Sequence, residues 1–170
     1  MSTTSGQIIR SVENKMTYEE FREHFLEIIR PLDYEVIDNS HAMYLKPKDD
    51  HIDKEGFRGI SVILSRDHSF IINKVHYYCD VYFEFIWDDE RHEPEDMNSD
   101  MALAIVNDYM KVYPDALFHY EGSADDNMFM DKTDIDTIIS KPFVPSWYYL
   151  YKTHLNISSV NKYGDEWTLK

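Results

Sequence analysis

From residue 75 to residue 87, VHYYCDVYFEFIW, the chain follows a period of two. Every second residue, Val75, Tyr77, Cys79, Val81, Phe83, Phe85 and Trp87, is apolar or aromatic, and His76, Tyr78, Asp80, Tyr82, Glu84 and Ile86 stand between them. Side chains on a strand point alternately to its two faces. The spacing therefore predicts one long strand with the odd-numbered face in a core and the even-numbered face turned outward.

The period changes elsewhere. Phe21, Phe25, Ile28, Ile29 and Leu32 recur at helical spacing. Thr17 with Glu20 forms a capping box before them, Met16 and Phe21 hold the staple positions, and Pro31 closes a helix over 18–30. Glu19, Glu23 and Glu27 make its solvated face. A second helix, from about 96 to 112, buries Met97, Met101, Ile105, Tyr109 and Val112, with Pro94 in its first turn and Pro114 after its end. Thr133, with Asp136 in the box position, caps a small helix over 134–140. Strands are predicted at 34–37 and 42–46, joined by a turn at 38–40, and at 57–64, 70–72, 116–121 and 128–130. A turn or bend at Asn73 and Lys74 breaks what would be an over-long strand. Residues 1–15 read as an arm or a short first helix. The segment 141–156 fits helix or strand, with Pro142 and Pro145 excluding a central strand at its start. The tail has one anchor, Trp167. Together these elements predict a single α+β domain over 1–170 whose ends, 1–15 and 157–170, are loosely ordered. Its sheet is antiparallel and meander-like, of about five or six strands, with two main helices packed on one face.

Charge changes the picture more than composition does. The chain of 170 residues carries a formal net charge of −15, and residues 80–136 hold 17 of its acids against 3 bases. The remaining chain is nearly balanced, with 15 acids and 14 bases. A concentrated negative surface argues against direct binding to nucleic acid, which needs cations to displace phosphate counterions, and against anionic membranes. No apolar stretch reaches the roughly 18 residues of a membrane span, so a soluble cytoplasmic protein is expected. Cys79, the one cysteine, reads as a small core residue on the apolar face rather than a reactive thiol.

Chemistry-bearing motifs are sparse. There are five glycines and no phosphate-cradling loop, no nucleophile elbow and no dinucleotide fingerprint, so no cofactor is expected. Asp49, His51 and Asp53 alternate as in a calcium loop, but Lys54 stands where the loop needs glycine and Ile60 where it needs a carboxylate. The eight histidines lack zinc-motif spacing; His76 and His119 on neighbouring strands are the pairing that topology could assemble. Asp80 and Glu84 on one strand face would stand about 13 Å apart, too far for an acid/base pair.

Two groups of residues fit protein recognition. One is the acidic pair of clusters Asp88, Asp89, Glu93 and Asp96, and Glu121, Asp125 and Asp126. The other is the row Tyr78, Asp80, Tyr82 and Glu84, because tyrosines add amphipathic contact area and acids select the partner's charge. In size and charge the chain resembles, as a broad class, bacterial immunity proteins that neutralise a cognate toxin; the resemblance is one of profile, and no motif carries functional positions over. The expected function is a non-catalytic inhibitor of a basic protein partner such as a nuclease toxin. The alternatives are a nucleic-acid mimic that sequesters DNA-binding proteins, and a hydrolase or metal enzyme whose site assembles only in three dimensions.

Overall fold

A computed structural model describes residues 2–39, 42–48, 59–87, 99–121, 127–141 and 167–169. Its centre is an antiparallel sheet. In chain order the strands are β1 (Ser2–Arg10), β2 (Tyr34–Asp38), β3 (Met43–Pro47), β4 (Ile60–Leu64), β5 (Ser69–Ile72), β6 (Val75–Trp87), β7 (Leu117–Glu121), β8 (Asn127–Met130) and β9 (Trp167–Leu169). They lie in the order β2-β3-β4-β6-β1-β7-β8; β5 continues along the β4 side of β6 and pairs in turn with β9. The antiparallel α+β architecture is as predicted, and the nine strands among the described residues exceed the five or six expected. From β2 to β6 the sheet is a meander. Residues 2–10, expected as an arm or helix, instead form a strand that pairs with β6 along its length and with β7 over Ser5–Ile9, which gives its backbone groups ladder partners.

Three helices are described: α1 (Tyr18–Ile29), α2 (Ser99–Val112) and α3 (Lys132–Ile139). α2 packs between α1 and α3, α1 also touches β4, and α3 touches β8. The capping box predicted for α1 is present, with Thr17 accepting from the Glu20 N–H and Glu20 accepting from the Thr17 N–H at 3.0 Å. Thr17→Ala should therefore cost about 1 kcal/mol in chemical denaturation; an unchanged midpoint would count against the cap. α3 starts two residues earlier than predicted, because Asp131 and Asp134 form the reciprocal box in place of Thr133 and Asp136. On α2, Met101, Ile105 and Tyr109 are buried as expected, while Val112, at the helix end, is 49% exposed. Flanking by two helices buries a wider face, adding Ala102, Leu103, Val106 and Met110. Met97 lies outside the described residues. No described helix is long and apolar enough to cross a membrane.

The long strand β6 holds the main departure from expectation. Ile8 of β1 faces Val81, but Ile9 faces Cys79, leaving Asp80 as an extra residue in a β-bulge. The break shows on the other side too, where β4 ends opposite Val81 and β5 begins opposite Tyr78. A one-residue insertion exchanges the faces of everything beyond it. Val81 and Phe83 thus join the core beneath the helices, with Ile8, Val62, Phe118 and Tyr109. Cys79 and Tyr77 join a second core on the face opposite the described helices, with Ile9, Phe70, Ile72, Leu117 and Phe129. The odd-numbered residues form no single face. Instead, β6 feeds two cores in succession, and Cys79 is buried in the second, as its core assignment requires. Asn73 and Lys74, with φ of 48° and 67°, make the tight turn predicted between β5 and β6.

Candidate functional site

Strand directions decide where the acidic connections lie. β6 and β7 each run antiparallel to β1, so they run parallel to one another and finish, at Trp87 and Glu121, at the same end of the sheet. β3 runs the same way and finishes there at Pro47. Three connections, 48–59, 88–98 and 122–126, therefore leave from one end, and their sequences contain 12 acids against 4 bases. The connections on the opposite half, 11–17, 39–42, 65–68, 73–74 and 113–116, contain 3 acids and 3 bases. The described strand ends at which these acid-rich sequences begin, Pro47, Trp87 and Glu121, thus share one end of the sheet. Asp88, Asp89, Glu93, Asp96, Asp125 and Asp126 lie outside the described residues; the strands that carry the chain to and from them are described. The calcium-loop candidates Asp49, His51 and Asp53 likewise lie outside.

Glu121 and Glu84 are brought into one row. Ser5 of β1 is in register with Glu84 on one side and with Glu121 on the other. Glu84 is exposed on the face opposite the described helices, its even number matching that face only because the bulge precedes it.

The rest of the predicted tyrosine and acid row is dispersed by the same bulge. Tyr82 points into the second core and is 7% exposed, with the Arg66 guanidinium 3.9 Å over its ring. Tyr78 is half-buried and stacked on His76 at 4.4 Å between centroids. Asp80, expected to face outward, is 1% exposed beneath α2. There its carboxylate accepts a hydrogen bond of 2.6 Å from the Tyr109 hydroxyl and another from Arg10 Nε. Arg10 in turn lies 3.9 Å over the Tyr113 ring, and Tyr113 is hydrogen-bonded to His24 of α1. Burial raises the Asp80 pKa above the ordinary carboxylate range, while the bonds from Tyr109 and Arg10 hold it down. Burial, then the neighbouring carboxylate, pushes the Tyr109 hydroxyl up as well. This chain of groups ties β1, β6, α2 and α1 together. Its chemistry is that of a clamp: Arg10 and Tyr109 both bond Asp80 Oδ2, while the buried Oδ1 takes no hydrogen bond. Asp80 and Glu84 hold equivalent places in the alternation, so the sequence carried no sign that one of them is buried.

His76 and His119 do not meet. His76 lies before the bulge on β6, whereas His119 is buried on β7, two strands away, bonded to Gln7 at 3.1 Å and stacked on Phe129 at 4.5 Å. Asp80 and Glu84 lie on opposite faces of β6, so they are not a pair in any sense. Among the described residues no three His, Cys, Asp or Glu side chains are placed to share a metal ion. No family model, curated protein or solved structure matches this chain.

Proposed function

We propose that this chain is a binding protein whose acidic sheet end engages a basic protein partner, as an inhibitor or immunity protein that occludes the active or nucleic-acid-binding site of a nuclease toxin. The observation that carries this reading is that β3, β6 and β7 finish at one end of the sheet, where the acid-rich sequences 48–59, 88–98 and 122–126 begin. Carboxylates gathered on one end of a rigid sheet oppose the cations that a nuclease presents to phosphate. They steer association before contact and exclude substrate after it. The clamp at Asp80 supports the reading by fixing the scaffold on which the connections are mounted.

Purification of the complex from source cells tests it. The partner should be basic, its cleavage of nucleic acid should stop at one equivalent of this protein, and binding should weaken as salt brings the Debye length below about 8 Å. A neutral partner, or one whose binding ignores salt, would overturn the reading. A nucleic-acid mimic would show the same salt dependence while binding unrelated basic proteins equally well.

A further inference from the structure

On the sheet face opposite the described helices, one half is closed by a second core and the described residues of the other are exposed or half-buried. The second core closes the half that holds Ile9, Phe70 and Phe129. Toward β2 lies a continuous cross-strand row, in which Ile37 faces Tyr44, Tyr44 faces Ser61, Ser61 faces Glu84 and Glu84 faces Ser5. Ile37 is 42% exposed, and Glu84 is exposed.

Two features set this row apart from ordinary sheet surface. First, Tyr44 is laid flat. A Cβ added at Gly59 would fall 2.2 Å from Tyr44 Oη and 2.4 Å from its Cζ, so the ring rests across the glycine instead of standing off the sheet. Beside it an open depression is lined by Ile37, Asn39, Ala42, Tyr44 and Ser61. Second, Glu84 is an unneutralised acid. The acids nearer the β2 edge are all matched, Glu35 by Lys46, Asp38 by Arg22 and Asp33 by Lys48, whereas Glu84 makes no ion pair among the described residues. Glu84 is also the row's link to Glu121 through Ser5, and so to the acidic end.

We infer that this row is a second contact region for the basic partner: it takes a cationic, extended segment whose Lys or Arg meets Glu84 and whose apolar side chain settles on Tyr44 and Ile37. The inference rests on the acidic-end reading and extends it. Charge complementarity chooses the sign of the occupant, and the flat ring beside an exposed isoleucine asks for an apolar group next to the cation, since a polar segment would leave that surface wet.

Two peptides of equal charge separate the parts. One alternates arginine with leucine, the other arginine with glycine. Titrated into the intact protein at low salt, the leucine peptide should bind about tenfold more tightly. That preference should vanish in Ile37→Asp, and Glu84→Lys should weaken the leucine peptide by about tenfold, with melting unchanged in both. Equal affinities for the two peptides, or a preference that survives both substitutions, would overturn the inference while leaving the acidic end intact. Failure of both peptides to bind would remove the inference and the acidic-end reading together. A dimer in sedimentation that dissociates in Ile37→Asp would give this face to a second copy of the chain and likewise overturn it.

Discussion

Replacing Arg10 by leucine is expected to destabilise the fold by about 3–5 kcal/mol, the cost of leaving a buried carboxylate without its cation. Asp80 is 1% exposed, and the hydrogen bond from Tyr109 alone cannot compensate its charge. An all-apolar replacement, Arg10→Leu with Asp80→Leu and Tyr109→Phe, should recover most of that loss, because it removes the charge along with its partners. The deficit of the single variant also depends on pH, with a definite sign. The folded pKa of Asp80 is raised, chiefly by burial, above an unfolded value of about 3.9. The folded state therefore holds the proton more tightly than the unfolded chain does. Asp80's favourable contribution is complete below about pH 3.9 and is lost as pH rises through the folded value. Loss of the Arg10 charge raises that value further, so the gap between variant and wild type should narrow on acidification as Asp80 takes up a proton. Denaturant titrations at neutral and mildly acidic pH read this directly; a gap that does not change with pH would show that the Asp80 charge is not what the substitution exposes.

Phe83→Ala should cost about as much, about 3–5 kcal/mol, or about 6–20 °C in the melting temperature of a domain this size. Phe83 is fully buried under the helices, with its ring 6.3 Å from that of Phe118, and the surrounding sheet cannot collapse into the space it leaves. Cys79→Ala should cost far less, since it removes a single atom from the smaller core on the other face. Equal losses would contradict the division of β6 between two cores.

Local features were legible in the sequence because they depend on neighbours only. The Thr17 and Glu20 box, the turn at Asn73 and Lys74 and the period of α1 all stand where their spacing puts them. β1 was not legible. A central strand is buried on both faces, so Ile8 and Ile9 sit side by side, one in each core, and no alternation marks them. The neighbouring Gly6 lies under the Phe118 ring, where an added Cβ would come within 2.8 Å, and the buried Gln7 is bonded to His119. Neither residue type announces a core. The bulge at Asp80 was hidden for a different reason: inserting one residue leaves the alternation of apolar and polar letters intact while exchanging the faces they occupy. That is why Asp80 and Tyr82 looked outward-facing and are buried, and why Glu84 remains open. The acidic excess was legible as composition, but its gathering at one end of the sheet depends on the directions of β3, β6 and β7. β3 and β6 are aligned through β4 in the meander, but β7 is aligned with them only through β1, the placement that the sequence did not reveal.

The central claim is that two acidic clusters far apart in sequence act on one partner from one end of the sheet. Its most direct test is the stopped-flow association rate of that partner with two variants, one neutralising Asp88, Asp89, Glu93 and Asp96, the other Glu121, Asp125 and Asp126. Folding should be nearly unchanged in both, as expected of charges that serve association and not the core. Each variant should slow association with the same partner and flatten its dependence on salt, by about tenfold or more at low ionic strength. Association with that partner that is unaffected by either cluster, or affected by one alone, would contradict a single acidic end.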